Sequence, residues 1–263
     1  MNYKASDHTF VVCAYKKSPY LEKCIVSLIK QSEPSNIIIA TSTPNDLIRT
    51  ISLKYGCTLF VRSGISEISD DWNYAINCAK TQLVTIAHQD DIYCECYVSH
   101  MLKYLNEAKN PLIFFGNYNE IRSEKKHCSS KMLRIKRFLL GTYSNSMLRS
   151  RSFFKRLPIS FGNPICCPSV TYVLDKLPNP LFNKGFRSNL DWDAWERISL
   201  LKGDFVYDKE IIMLHRVHEN SETSACIQND IRTNEDLEML KRFWPNKIAT
   251  MINKVYYKAQ KYN

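Results

Sequence analysis

The sequence predicts a doubly wound α/β domain, a mostly parallel sheet covered by helices on both faces. Strand and helix periods alternate through the first half of the chain. The strand segments are continuous apolar runs instead of alternating ones, the mark of strands buried on both faces. One further observation places function. Two adjacent carboxylates, Asp90 and Asp91, follow the run Leu83–His88, and open α/β sheets bind ligands beyond the carboxyl ends of their strands.

The elements follow in order. Phe10–Cys13 reads as the first strand, and Leu21, Cys24, Ile25, Leu28 and Ile29 then recur at helical spacing. Ile37–Ile39 is the second strand, and a helix is expected from near Pro44, since proline suits a first helical turn. Cys57–Val61 is the third strand. Asp70 or Asp71 is expected to cap a helix with Trp72, Ala75, Ile76 and Ala79 on one face. Leu83–His88 is the fourth strand. Tyr97, Met101, Tyr104, Leu105 and Ala108 mark the next helix, and Leu112–Phe115 the fifth strand. Beyond residue 120 the pattern loosens, and Pro158, Pro164, Pro168, Pro178 and Pro180 punctuate what reads as substrate-facing loops. A helix opens at Leu190–Arg197 and is expected to end at Gly203; Phe205–Tyr207 and Ile211–Leu214 read as short strands.

The 263 residues are 44% hydrophobic and 24% charged, an ordinary globular composition with ample core. No apolar run of about 18 residues is present, which argues against a membrane span. A polar start, Met1–Asp7, leads directly into a strand. The expectation is a cytoplasmic protein without a signal peptide. Ten cysteines fit reduced thiols better than a disulfide frame. Cys13 lies in a strand, Cys24 and Cys78 lie on apolar helix faces, and Cys94/Cys96 and Cys166/Cys167 lack zinc spacing.

The net charge of +10 is confined. Residues 122–156 hold 11 Lys and Arg against one acid, Glu124, while the remaining 25 bases and 25 acids cancel. So unbalanced a block implies an anionic partner, such as phosphate, a membrane surface or nucleic acid; a solvated face is the alternative. From residue 241 to the end there are six bases and no acid. There Ile248, Ile252, Val255, Tyr256 and Ala259 share one helical face, with Lys247, Lys254, Lys258 and Lys261 opposite. That suits an interfacial helix on anionic lipid or a helix docked on the core.

Two aspartates at one strand end need a cation or a hydrogen-bond network to neutralise them. A hard divalent cation shared with phosphate oxygens is the usual solution. Asp90 and Asp91 are therefore metal candidates, with a capping or turn role as the alternative.

The motifs in order resemble the inverting nucleotide-sugar glycosyltransferases of family 2, of the glycosyltransferase A fold, over roughly residues 8–224. Phe10–Tyr15 followed by Tyr20–Gln31 resembles the family's opening strand, nucleotide-contacting turn and first helix. Trp72-Asn73-Tyr74-Ala75 resembles the helix before the acidic motif, and His88-Gln89-Asp90-Asp91 stands at the metal motif. Leu190–Trp195 resembles the helix start carrying the catalytic base, and His215–Ser221 the late element beside the diphosphate.

The resemblance implies a nucleotide diphosphate sugar donor, a divalent metal (Mn²⁺ or Mg²⁺), and a glycan or lipid-linked glycan acceptor; the charge of the basic block and tail, and no motif, suggests that this acceptor is held at an anionic membrane surface. Asp191 would be the general base, with an N-cap role as the alternative. Ala14, Tyr15, Thr41, Ser42, Trp72, Asn73, His88, Gln89, Asp90 and Arg216 would meet the donor. Asp90, Asp91 and His218 would hold metal, and Asp193 and Trp192 would meet the acceptor. Arg216 could equally make a surface ion pair. Trp192 and Phe186 could stack on a sugar, whereas Trp195 suits the core.

Residues 1–120 would form the nucleotide-sugar half, 121–225 the basic segment and catalytic half, and 226–263 a basic helical tail. Two departures stand out: Ala40–Pro44 lacks the carboxylates usual after the second strand, and His88 replaces an acid. His88 could ligate Mn²⁺ or cap the strand end. A catalytically inactive nucleotide-sugar binder and a nucleic-acid-binding protein are the competing functional readings.

Overall fold

The computed structural model describes residues 2–122, 125–127, 130–219 and 231–261. The chain order is β1 (His8–Cys13), α1 (Leu21–Ile29), β2 (Asn36–Thr41), α2 (Asp46–Tyr55), β3 (Thr58–Val61), α3 (Ile68–Cys78), β4 (Leu83–His88) and β5 (Ile92–Tyr93). Then come α4 (Tyr97–Glu107), β6 (Pro111–Arg122), β7 (Lys125–His127), α5 (Lys131–Leu140), α6 (Ser152–Ile159) and β8 (Val170–Val173). The chain continues through α7 (Leu190–Ser199), β9 (Asp204–Arg216), α8 (Ile231–Lys241) and α9 (Asn246–Lys261).

One nine-stranded sheet organises these elements in the order β3-β2-β1-β4-β8-β6-β9-β5, with β7 paired to β6. The first four strands are parallel, as continuous apolar runs require. Beyond them β8 runs antiparallel to β4 and β6, β9 parallel to β6, and β5 antiparallel to β9. Successive residues of β1 feed opposite faces: Phe10 and Val12 join a core with Leu21, Leu28, Met101 and Leu105, and Val11 joins one with Ile86, Trp192, Trp195 and Met239.

Local chemistry explains the boundaries. Asn45 caps α2 by accepting from the Ile48 N–H, and Gly56 ends it at φ 64°. Helix α3 opens at Ile68, so Asp70 and Asp71 lie within its first turn and do not cap it. Likewise α7 ends at Ser199, four residues before Gly203. Gly203, at φ 150°, lies where β9 enters the sheet: a Cβ there would stand 2.6 Å from Leu112 Cγ and 2.7 Å from the Asn110 carbonyl.

The fifth strand extends well past Phe115, and 205–207 and 211–214 belong to the single strand β9. Register shifts opposite Gly116 and Asn117 take up Lys209–Glu210 as a bulge.

All cysteines among the described residues are free thiols. The C-terminal helix docks on α8 through Ala249, Ile252, Asn253 and Tyr256, while Ile248, Met251 and Val255 face solvent. The single apolar face expected from sequence is thus divided between core and surface. Among the described residues, no helix is long and apolar enough to cross a membrane.

Candidate active site

Parallel register brings the carboxyl ends of β1, β2 and β4 to one edge, with Cys13 opposite both Ala40 and His88. The loops after these strands, together with the end of β9, surround the acidic pair.

The two aspartates differ sharply. Asp91 is 1% exposed; its Oδ1 accepts from the Arg216 backbone N–H at 2.8 Å, and His215 Nδ1 lies 3.0 and 3.3 Å from its two oxygens. Burial favours the neutral acid, but His215 outweighs it and holds the Asp91 carboxyl below its usual range. The same pairing holds His215 above the usual imidazole range against the effect of burial. Asp91 is therefore a buried strut between β4 and β9, its oxygens engaged by His215 and the Arg216 N–H, whereas its expected metal role would want an open carboxylate.

Asp90 is the open one. Ser18 Oγ donates to its Oδ1 at 2.8 Å, and His218 Nε2 lies 3.1 Å from its Oδ2, both side chains being partly exposed. Arg216 donates through Nε to the Asp90 carbonyl at 3.0 Å and lies 4.2 Å over the Tyr20 ring. At 4% exposure Arg216 belongs to the frame beneath Asp90 and not to the surface.

The expected donor-contact residues divide as well. Gln89 clamps the turn after β1, its Oε1 accepting from the Tyr15 N–H at 3.0 Å and its Nε2 donating to the Tyr15 carbonyl at 2.9 Å. That turn carries Lys16 at φ 52°, a left-handed residue without glycine's freedom. Ala14 is buried and bonded to the Ala40 carbonyl, whereas Tyr15 is 45% exposed. Thr41 is buried and accepts from the Thr43 N–H. Asn73 spends both ends of its amide on Leu181 and Phe182 and so fastens that loop, while remaining half-buried at the wall of a cavity with Arg62, Asp70 and Tyr74.

Trp72 and His88 stand together, ring centroids 5.2 Å apart. Burial lowers the His88 pKa, keeping the ring neutral, and its Nε2 is buried without a hydrogen-bond partner.

A carboxylate from α3 lies beside the end of β2. Ser42 Oγ donates to Asp71 Oδ2 at 2.8 Å, and Arg62 Nε donates to Asp71 Oδ1 at 2.7 Å. Reading Asp71 as a helix cap hid this, because the contact joins residues 29 positions apart.

Asp191, in the first turn of α7, is partly exposed. Its Oδ2 accepts from Asn163 Nδ2 at 2.8 Å and its Oδ1 from the Trp192 N–H at 2.8 Å. Burial pushes its carboxyl above the usual range, partly offset by Asn163. Asn189, not Asp191, occupies the N-cap.

The two expected acceptor residues are not available. Trp192 is fully buried with its Nε1–H donating to the Ile159 carbonyl at 2.9 Å. Asp193 is 3% exposed between Arg197 at 2.9 Å and Arg242 at 2.6 Å. Both face the α7 core because a helix carrying Asp191 outward turns its neighbours inward. Trp195 packs parallel to Tyr172 in that core. Phe186 is covered by the Arg242 guanidinium. Ser221 of the late motif lies outside the described residues, as do residues 226–230 of the tail.

A carboxylate–imidazole pair at the sheet's carboxyl edge, with a separate burial-perturbed carboxyl on α7, is accompanied by a family match. The model of glycosyl transferase family 2 covers residues 9–172. The chain belongs to glycosyl transferase family 2.

Curated relatives of this family 2 chain include an uncharacterized glycosyltransferase of Rickettsia typhi, 23% identical over 83% of this chain and 66% of its own length. One from Haemophilus influenzae is 25% identical over 93% of this chain and 74% of its own. The chain thus spans about two thirds to three quarters of these relatives.

Among solved structures, S. aureus TarS 1–349 in complex with UDP-GlcNAc superposes with TM-score 0.63 at 15% identity, covering 94% of this chain and 70% of that one. Mannosyltransferase PcManGT from Pyrobaculum calidifontis, in complex with GDP-Man and Mn²⁺, gives 0.62 at 11% identity, over 97% and 70%. At these identities the likeness is one of fold.

Proposed function

We propose that this chain is an inverting, nucleotide-sugar-dependent glycosyltransferase acting on a glycan or lipid-linked glycan, with Asp191 as general base. The observation that carries the reading is the separation of roles among the carboxyl groups: Asp91 is sealed in the frame, Asp90 opens toward His218, and Asp191 stands apart on α7 with a raised pKa. Family 2 membership and the nucleotide sugars bound by TarS and PcManGT support it.

In this reading the Asp191 carboxylate takes the proton of the acceptor hydroxyl as that oxygen bonds to the anomeric carbon. The bond from that carbon to the diphosphate oxygen breaks on the opposite face. Burial makes Asp191 a stronger base, and the Asn163 N–H holds its oxygen in place.

A divalent cation fits Asp90 and His218: one hard oxygen and one imidazole, 3.1 Å apart and partly exposed, leave coordination positions for diphosphate oxygens and water. When bound, the cation supplies neutralisation of the charge on the departing diphosphate. His88 Nε2 and the Trp72 ring form the wall next to this pair and are read as donor contacts, with Ser42 and Asp71 at the nucleoside end.

The basic block is not one anion-binding face. Six of its bases are engaged internally: Arg122 with Glu120, Lys136 with the Tyr118 hydroxyl, Arg137 with Asn119, Arg149 with Asp204, Arg156 with Glu196, and Lys155 with the Leu201 and Gly203 carbonyls. This weakens the nucleic-acid reading. The outward face of α5 remains. Lys131, Arg134, Ile135 and Phe138 share one exposed face, Phe138 at 82% exposure. We assign that face to an anionic membrane surface holding the acceptor.

Binding of UDP- and GDP-sugars with Mn²⁺, Mg²⁺ or chelator tests the donor reading. Metal-dependent binding of one donor, lost in Asp90→Asn, is expected; no binding to any donor refutes it. Binding without turnover on any acceptor would favour an inactive binder, a reading that the substitution of His88 for an acid also favours.

A further inference from the structure

Helix α7 carries Asp191 in its first turn, yet the residue at its N-cap does not cap it. That residue is Asn189, and its side chain makes no cap hydrogen bond. Its Nδ2 donates instead to Asp236 Oδ1 of α8 at 2.8 Å, both residues being 1% exposed. The preceding residue of α8, Glu235, takes the backbone. Three consecutive N–H groups converge on its carboxylate: Arg187 donates to Oε1 at 2.7 Å, and Ser188 and Asn189 donate to Oε2 at 2.8 and 3.0 Å. These groups precede the helix, so no intrahelical carbonyl is available to them. A charged acceptor makes such bonds stronger than neutral ones, and a carboxylate is favoured at the positive end of a helix.

The hold is reciprocal. Asp193, two residues beyond Asp191, accepts from Arg242 Nη1 at 2.6 Å, one residue past the end of α8. Glu235 and Arg242 are seven residues apart, about two helical turns, and so lie on one side of that segment. Asp236, Met239 and Leu240 are buried next to them. The start of α7 is thus held at two levels by an element more than forty residues later in the chain.

The carboxyl of Asp191 moves with this turn. Its Oδ1 accepts from the Trp192 N–H, a backbone group of the same turn. A general base must stand within hydrogen-bond reach of the proton it takes, and a displacement of about 1 Å costs about a hundredfold in rate.

We infer that Glu235 and Asp236 are positioning residues of the transfer reaction: by holding residues 187–189 they fix the turn of α7 on which Asp191 meets the acceptor hydroxyl. Both act through Asp191. The inference deepens the transferase reading and rests on it, since only a reaction at Asp191 gives its placement a consequence. A purely structural role is the competing one, and it predicts that donor-binding capacity and turnover fall together.

The test compares Glu235→Ala, Glu235→Gln, Asp236→Ala and Asp236→Asn with wild type, and with Glu238→Ala as control, since Glu238 is exposed on α8. Hydrogen–deuterium exchange of peptides spanning 186–193 reads the turn itself. Binding of UDP- and GDP-sugars with Mn²⁺, and nucleoside diphosphate release from the donor that is turned over, read its consequence. Both alanine variants are expected to exchange about tenfold faster over 186–193, with β1 and β4 as in wild type. Donor affinity and stoichiometry stay unchanged while kcat falls about tenfold or more. Asp236→Asn keeps an oxygen for the Asn189 amide and retains most of kcat. Glu235→Gln keeps one acceptor oxygen of two and falls between Glu235→Ala and wild type. In an Asp191→Asn background, Glu235→Ala lowers release no further, because the group it positions is gone. If Asp236→Ala does not fold, the half-buried Glu235 decides alone.

The inference falls if exchange over 186–193 is unchanged in the alanine variants, or if kcat stays at the wild-type value. It also falls if donor stoichiometry drops in proportion to turnover, or if Glu235→Ala and Asp191→Asn multiply in the double variant, since either would leave the acids purely structural. A wild type that releases nucleoside diphosphate from no donor removes the transferase reading and this inference with it. Faster exchange in the alanine variants then marks that result as distinct from a failed clamp.

Discussion

Individual residues in this protein carry roles that their motif alone does not assign. Asp90 and Asp91 are adjacent and chemically identical, yet one faces the cleft and the other is 1% exposed beneath it. Removing one partner of a buried, hydrogen-bonded charge pair costs about 3–5 kcal/mol. Asp91→Asn is therefore expected to lower the melting temperature by several degrees in a thermal melt, whereas Asp90→Asn leaves it near wild type and removes metal dependence. Equal melting temperatures for the two variants would contradict the division.

Asp191 yields a pH prediction with a definite sign. Its carboxyl is already raised by burial, and the Asn163 N–H stabilises the charged form. Asn163→Ala removes that donor, so the pKa rises further and the acid limb of kcat/KM moves to higher pH. A limb that stays in place, or moves down, would show that Asn163 does not tune this group.

Elements place these residues, and at this scale sequence and structure part company most. Trp192 looks like a stacking platform in the linear motif, but on α7 it points away from Asp191 into the core. Asp71 looks like a helix cap, but α3 begins at Ile68 and delivers Asp71 to Ser42 at the end of β2. Neither fact has a local signal, because each depends on how a helix is rotated against its neighbours.

Helix α5 shows the same principle for charge. Its inward bases hold β6 through Tyr118 and Asn119, while Lys131, Arg134, Ile135 and Phe138 face out. Co-sedimentation with phosphatidylglycerol vesicles is expected to capture the protein in a salt-sensitive way, and phosphatidylcholine vesicles are not. Ile135→Asp with Phe138→Asp should abolish capture while nucleotide binding persists. Capture that survives the double substitution would move the membrane contact elsewhere, with the exposed Ile248, Met251 and Val255 of α9 as the next candidates.

At the scale of the whole molecule, the alternation of apolar strands and amphipathic helices through Phe115 was readable because parallel strands buried on both faces leave continuous apolar runs. The acidic strand end and the α7 acid were readable for a related reason: charged groups stand out at the ends of apolar elements. Strand β8 was not, being four residues directly after a proline-bearing turn, too short to show a period. Nor was the unity of β9, because the polar run Asp208–Glu210 that interrupts its apolar pattern is a bulge in the middle of a strand.

The central claim, that Asp191 drives a metal-assisted displacement at a nucleotide sugar, is tested most directly by nucleoside diphosphate release. The measurement uses a donor panel with Mn²⁺, with or without glycan acceptors, on wild type and Asp191→Asn. The account predicts metal-dependent release from one donor by the wild type, and loss of turnover with donor binding retained in Asp191→Asn. Release that proceeds equally well in Asp191→Asn would contradict it.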